Sequence, residues 1–296
     1  MKIAIINTWN GGAVHNIMYP LSLELSKRGH ECDYITRRQI EITSNFDLSF
    51  SSYDIVHVGY FMNLNFIFQD IEVPYTCNVH HIPHEHLNRY AGDLYKWSPA
   101  EIVVSDPFAA RQLGQVGIYN TTEIPYSFDH SPYKLLPYPD EFTIGYLGCD
   151  YNIKRFDVIQ AAAFKAKVKS NGIARKTLNE EENFKNHSDI LDLYKNISCY
   201  IVASFNDGGP LPPQEALLCG RPVLTTKVGM MPQIISHGYN GLYHNGSVEG
   251  ITSSILEAKR EFDKLKHGAQ ATTLPSVEET TTLYERLFEK VVNNEA

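Results

Sequence analysis

The chain reads as an alternating α/β protein built from two doubly wound halves, and three stretches predict this. Lys2–Asn7 is a short apolar strand, followed by a turn at Trp9–Ala13 that contains Gly11-Gly12. Asn16–Lys27 has helical apolar spacing through Ile17, Leu21, Leu23 and Leu25, and after Gly29 a second strand runs over Cys32–Thr36. That is a βαβ opening with a glycine loop. A similar alternation returns at Ser198–Leu242: strand, loop, helix, strand, glycine turn, helix. Between them, the proline- and tyrosine-rich stretch His130–Pro139 reads as an interdomain linker.

Composition narrows the class. A length of 296 residues accommodates two medium domains, and 43% hydrophobic residues suffice for a sizeable core. The net charge of -8 is spread over both halves: residues 1–135 hold 9 Lys and Arg against 14 Asp and Glu, the remainder 17 against 20. No basic face is visible, which lowers the expectation of a nucleic-acid partner. Five scattered cysteines without a CxxC pair suggest reduced thiols and no disulfide framework. The N-terminus runs from Ile6 into polar Asn7, too soon for a signal peptide, and no stretch approaches the ~20 apolar residues of a membrane helix. A soluble, cytoplasmic protein is expected.

The remaining elements follow the same alternation. Asp54–Val58 is a strand and Met62–Phe68 a candidate helix. A strand ending near Val79 puts His80 at its carboxyl end, where α/β proteins form their sites. Ala100–Ser105 is a strand, and the helix from Pro107 is capped by Ser105 or Asp106. Phe142–Leu147 opens the second half, Gly148 turns the chain, and Lys154-Arg155 leads a helix over Phe156–Lys165. Ala166–Lys185 is polar and carries no clear assignment; His187–Tyr194, Val248–Lys266 and Val277–Val292 are helical. The histidines at 80, 81, 84 and 86 also invite a zinc reading through His80, His84, His86 and Glu85, but the spacing fits no closed-site pattern, so no metal is expected.

The chemistry concentrates in Ser198–Leu242. Cys199–Ser204 has the length of a buried strand, broken by Asn206-Asp207-Gly208-Gly209. Pro212 and Pro213 suit the first turn of a helix, Gln214–Cys219 are helix formers, and Gly220 closes it. A helix that starts at the carboxyl end of a parallel strand is a natural anion site. Asp207 and Glu215 bracket the loop, and glycine or proline fills five of the seven positions between them.

This stretch resembles the donor-binding region of retaining glycosyltransferases of the two-domain GT-B fold, especially the large family 4. The resemblance rests on Asp207-x7-Glu215, where that family carries Glu-x7-Glu, and on Glu215-Ala-Leu-Leu-Cys-Gly-Arg-Pro-Val223. Arg28-Gly29-His30-Glu31, Val104-Ser105 and Ile124-Pro125-Tyr126-Ser127-Phe128-Asp129 match further family segments. It implies two Rossmann-like domains facing across a cleft: 1–138 on the acceptor side, 139–275 holding the donor, and a helix at 276–296 of the kind that in GT-B chains often crosses back to the first domain. The implied reaction moves a sugar from a nucleotide-sugar, a UDP-sugar or GDP-sugar, to an acceptor with retention of anomeric configuration. The nucleotide-sugar is a co-substrate, and no cofactor is implied.

Carried over residue by residue, the resemblance makes His80 and Asp207 the catalytic candidates. Gly11, Gly12, Lys154, Arg155, Gly208, Gly209, Leu211 and Glu215 become donor contacts. Lys154 and Arg155 would hold the diphosphate and Glu215 the ribose; three prolines leave Gly208, Gly209, Leu211 and Gln214 to supply loop amides. Two departures stand out: Asp207 is one methylene shorter than Glu, and Cys149-Asp150 follows Gly148 where an Arg is usual. They motivate a rival reading as a non-catalytic nucleotide-sugar binding module. A sugar-nucleotide epimerase and a viral-type nucleic-acid base glycosyltransferase are the other rivals. The acceptor, whether glycan, lipid, small molecule or nucleic acid, is not specified.

Overall fold

Two all-parallel sheets organise the chain. In the computed structural model the described residues are 1–7, 12–36, 50–62, 72–80, 82, 84–149, 153–175 and 187–294. The expected helix over Met62–Phe68 therefore lies almost wholly outside them. The chain divides into two units, Met1–Asp129 with Pro275–Ala296, and His130–Leu274.

The first unit holds β1 (Lys2–Asn7), β2 (Glu31–Thr36), β3 (Ile55–Val58), β4 (Tyr75–Val79), β5 (Glu101–Val104) and β6 (Thr121–Glu123), in the order β2-β1-β3-β4-β5-β6. Its described α-helices are α1 (Gly12–Lys27), α2 (Leu87–Trp97), α3 (Pro107–Gln115) and, from the far end of the chain, α10 (Val277–Val292). Strands β1, β3, β4 and β5 are buried almost throughout, as expected for a parallel sheet with both faces covered. Helix α2 is absent from the sequence expectations, although Leu87, Tyr90, Ala91 and Leu94 give it a buried face at helical spacing. The Asp106 carboxylate caps α3 by accepting from the Phe108 and Ala109 amides at 2.9 and 3.1 Å.

The second unit orders its strands β11-β10-β9-β7-β8, with β7 at Thr143–Cys149, β8 at Lys169–Arg175, β9 at Cys199–Val202, β10 at Val223–Thr225 and β11 at Gly241–Tyr243. Its helices are α4 (Phe156–Ala166), α5 (His187–Lys195), α6 (Leu211–Leu218), α7 (Met231–Ile234), α8 (Val248–Arg260) and α9 (Phe262–Gln270). Strand β8 falls in the polar stretch that carried no assignment. It pairs with β7 along all seven residues but is an edge strand, so burial does not impose an apolar pattern on it. The single helical run expected over Val248–Lys266 is two helices, interrupted at Glu261.

In both sheets the chain starts one strand in from an edge, adds the edge strand next and then builds away on the other side. The order reverses beside β1 in the first unit and beside β7 in the second, and the carboxyl ends of strands at such reversals are where ligand sites form in open α/β sheets. Buried polar groups hold each unit together. In the second, the fully buried Arg221 guanidinium donates to the carbonyls of Tyr194 (2.7 Å), Leu136 (3.1 Å) and Pro137 (2.5 Å) and lies over the Tyr138 ring, so the 130–139 stretch is fastened to the domain rather than loose. In the first, Tyr284 of α10 bonds both ends of the Asn78 amide at 3.0 and 3.1 Å, and its ring meets the edge of buried His57.

His57 gives the first unit a pH dependence. Burial, with a smaller repulsion from His80, lowers its pKa to about 3 from an ordinary 6.5. The unfolded chain therefore binds a proton in the window between those values that the folded one does not. Its contribution to stability is complete above pH 6.5 and falls as the pH drops from 6.5 towards 3. In urea melts between those limits, His57→Gln is expected to flatten the decline by up to about 1.4 kcal/mol per pH unit, one proton's worth.

Candidate donor-site residues

Strand β9 and helix α6 set the frame. After Val202 the chain leaves the sheet through Ser204–Gly209, and Pro210, at φ −61° and ψ 127°, caps α6. The helix starts at Leu211, three residues before the run of helix formers, because Pro212 and Pro213 have φ values already suited to its first turn. Of the first three helical positions only Leu211 carries an N–H. Gly220, at φ +81°, terminates the helix in the left-handed conformation that glycine adopts without penalty.

Asp207 on this loop forms an ion pair with Lys154, which follows β7. Both side chains are largely buried, 27% and 15% exposed for Lys154 and Asp207, so each neutralises the other where water screens little. The two strands that deliver them are neighbours: β7 pairs with β9 through Ile144–Cys199 and Gly145–Tyr200. The Tyr200 hydroxyl reinforces this by donating to the Leu147 carbonyl at 2.9 Å and accepting from the Leu147 amide at 3.0 Å. A small pocket opens beside the pair, lined by Lys154, Leu147, Ser204, Pro210 and Pro213 among others.

Glu215 sits in the second turn of α6 and is 5% exposed. The fully buried Tyr194 of α5 donates to its Oε2 at 2.6 Å, with the Pro212 carbonyl 3.0 Å from the same hydroxyl. Burial first, and then the Glu215 charge, push the Tyr194 phenol well above its usual range, so it stays protonated and donates. Tyr194 is in turn held through its own carbonyl by Arg221.

Arg155, beside Lys154, has partners of its own. It occupies the left-handed region at φ +53° as the residue capping α4, which explains why the resembled pattern has Gly there. Its guanidinium donates to the Gly246 carbonyl at 2.7 Å and stacks 4.1 Å over the ring of exposed Phe205. His244 lies nearby; burial lowers its pKa to about 4, opposed by a hydrogen bond to the Leu224 backbone and aided more weakly by the Arg155 charge.

In the first unit, Gly12 begins α1 at φ +80°, and Gly11 lies outside the described residues, as does His81. His80 directly follows β4 and is 9% exposed. Its Nδ1 meets the Tyr126 hydroxyl, and its Nε2 lies 2.6 Å from the Gly59 carbonyl. Glu85 and His86 are exposed; among the described residues no cluster of three or more His, Cys, Asp or Glu side chains is arranged to hold a metal ion. Nor, among them, is any helix long and apolar enough to cross a membrane.

Three residues missed by the sequence reading shape the second unit's loop. Tyr194 and Thr226 act through hydroxyls, Thr226 donating to the Ser204 carbonyl. Gly229, at φ +46°, packs its backbone onto the loop: a Cβ there would lie 2.4 Å from the Asp207 carbonyl oxygen and 2.6 Å from the Gly208 carbonyl carbon. The Gly229-x4-Ile234-Ile235 run was the available signal, since a glycine fixed one helix start after a strand asks for a positive φ or a close approach.

A model of the family described as Glycosyl transferases group 1 matches residues 175–271. A Campylobacter jejuni relative, N,N'-diacetylbacillosaminyl-diphospho-undecaprenol alpha-1,3-N-acetylgalactosaminyltransferase, is 24% identical over 112 residues; the match spans 36% of this chain and 30% of that one. Among solved structures, Anabaena Alr3699/HepE in complex with UDP-glucose superposes with a TM-score of 0.74 at 15% identity, covering 98% of this chain and 100% of that one. Sucrose-phosphate synthase from Thermosynechococcus elongatus gives 0.75 at 14% identity, covering 99% and 100%. These likenesses establish the fold as α/β with two parallel sheets of the Rossmann-like type, that of GT-B glycosyltransferase structures.

Two substitutions probe the local framework. Tyr194→Phe removes the phenol from a buried carboxylate and should cost about 1–3 kcal/mol in chemical denaturation. Gly229→Ala combines backbone strain with a clash against the 207–208 peptide and is expected to cost about 1–3 kcal/mol or more. A wild-type midpoint in either variant would show that the contact carries no weight.

Proposed function

We propose that the chain is a glycosyltransferase of the retaining, family 4 type, moving a sugar from a nucleotide-sugar to an acceptor nucleophile. The observation that carries this reading is the Lys154–Asp207 pair at the β7/β9 reversal, one helix start away from buried Glu215. Breaking the bond between the sugar and the diphosphate leaves negative charge on the departing phosphates and positive charge on the sugar, and a site must meet both. Lys154 supplies the cation for the first. Asp207 supplies the carboxylate for the second, and the loop from Gly208 to Leu211 ends at the positive end of α6. Glu215 accepts hydrogen bonds from the ribose hydroxyls, held for the purpose by Tyr194.

His80 and Gly12 keep the roles that the resemblance implies, facing the sugar and the diphosphate. Arg155 serves the site through the loop at Gly246 rather than through the phosphates, which leaves Lys154 as the cation of the clamp. UDP is the first nucleotide to test, because HepE was solved with UDP-glucose. No general base is assigned; a phosphate oxygen of the leaving diphosphate can take the acceptor proton. The altered clamp also supports a second reading, a binding module without transfer. It differs in one observable, since it would bind donor with no turnover.

Titration calorimetry with UDP tests the donor site. Lys154→Ala should weaken binding by at least ~1.5 kcal/mol, and Glu215→Ala by about 1–3 kcal/mol. Asp207→Asn should instead tighten UDP, because Lys154 no longer has a carboxylate to leave, while any turnover of UDP-sugar falls. Unchanged UDP affinity in both Lys154→Ala and Glu215→Ala would remove the donor site from the second unit. A thermal-shift panel of UDP-, GDP- and ADP-sugars then selects the donor, since a ligand of the folded state raises the melting temperature by mass action.

A further inference from the structure

His80 is enclosed within the first unit by groups whose chemistry decides where its proton lies. The Gly59 carbonyl oxygen, 2.6 Å from Nε2, can only accept, so Nε2 carries the hydrogen. In the neutral ring Nδ1 is then a lone pair, and the Tyr126 hydroxyl donates to it. We propose that the Gly59 carbonyl fixes His80 as the Nε2–H tautomer and that Tyr126 is a positioning residue, its hydroxyl donating to Nδ1 and holding the ring with its single N–H aimed at that carbonyl.

Each partner is fixed independently of His80. Gly59 donates its own N–H to the Ile6 carbonyl at 2.9 Å, and a Cβ on it would come within 2.7 Å of Met18 Cγ on α1, so that helix needs a glycine at this position. Tyr126 is 3% exposed. The segment that carries it is tied at one side by the Ile124 amide to the Val104 carbonyl (2.9 Å) and at the other by the Ser127 hydroxyl to the Pro275 carbonyl (2.8 Å). Rings on two sides limit rotation of the imidazole: Tyr126 at 4.9 Å and Tyr60 at 5.5 Å between centroids.

The tautomer has a consequence for ligands, which rests on the reading of His80 as the residue facing the sugar. A hydroxyl that reaches Nε2 meets a donor, not an acceptor. It can accept from the ring and pass its own hydrogen to the Gly59 carbonyl, so one protein bond becomes two ligand bonds. A sugar bearing a hydrogen-bond acceptor without a hydrogen at that position would leave Gly59 unpaired and be disfavoured. Gly59 thereby sets the polarity of the contact, and Tyr126 holds the ring that makes it without touching the sugar. The resembled pattern reads Ile-Pro-x-Gly-Val-Asp around this point, and the tyrosine fills the position left open in it.

The test is nitrogen NMR of histidine-labelled protein near neutral pH, with His80→Gln identifying the resonances. The wild type should show His80 protonated at Nε2 alone, and Tyr126→Phe, which keeps the ring but not the hydroxyl, should keep that tautomer with the Nδ1 resonance shifted by the loss of its hydrogen bond. In calorimetry, Tyr126→Phe should lose about tenfold in affinity for UDP-glucose and none for UDP, as for one lost buried hydrogen bond. A wild-type ring protonated at Nδ1, or an unchanged spectrum in Tyr126→Phe, overturns the proposal; the wild-type spectrum decides even if the variant fails to fold. If wild type binds UDP-glucose no better than UDP, the sugar-facing reading of His80 fails, while the spectrum still settles the tautomer.

Discussion

The second unit depends on the direct pairing of β7 with β9, two strands that lie some fifty residues apart in the chain. Parallel strands need a crossover, and here the crossover returns the chain past β8 and α5 to the other side of β7. Only because the two strands are adjacent do Lys154 and Asp207 emerge from the sheet side by side. The interface between them is tight at Gly145, where a Cβ would strike Ile197 at 2.6 Å, and Tyr200 bolts the strand ends together with two hydrogen bonds to Leu147. Moving that pairing by one residue would turn every side chain of β9 to the opposite face.

Around this frame the loop is positioned mostly by backbone. Gly229 and Gly246 let neighbouring segments come closer than any side chain would permit, and Arg155 accepts a left-handed conformation to reach Gly246. Besides the Lys154–Asp207 pair, the side chains that act, Tyr194 and Thr226, do so by single hydroxyls aimed at a carboxylate and a carbonyl. Pro210, Pro212 and Pro213 meanwhile remove three N–H groups from the loop and the first turn of α6.

Much of this was legible in the residues. Apolar runs bounded by glycine and proline gave β1, β4, β5, β7 and β9 nearly to their ends, because strands buried on both faces must be apolar. The Asp207-x7-Glu215 spacing marked the loop and the helix behind it. Strand β8 was hidden by its edge position, where exposed backbone tolerates Lys, Ser and Asn. The Lys154–Asp207 pair, the Tyr194–Glu215 bond and the turning of Arg155 towards Gly246 could not be read at all. They join residues 53, 21 and 91 positions apart, and no local pattern encodes such distances. His80 was placed correctly at a strand end, yet its partners Gly59 and Tyr126 come from two other elements.

Helix α10 gives the first unit an unusual order of completion. The unit begins with residue 1 but its buried polar layer, Asn78 with His57, waits for Tyr284. On a ribosome the whole of the second unit, 130–274, is made before that tyrosine exists. The first unit is therefore completed only after the second has been made. Until then the Asn78 amide has no phenol to meet, and the Tyr126 segment lacks its tie at Pro275. Helix α10 thus acts as the closing fastener for a sheet laid down some two hundred residues earlier, and with it for the strand end that carries His80.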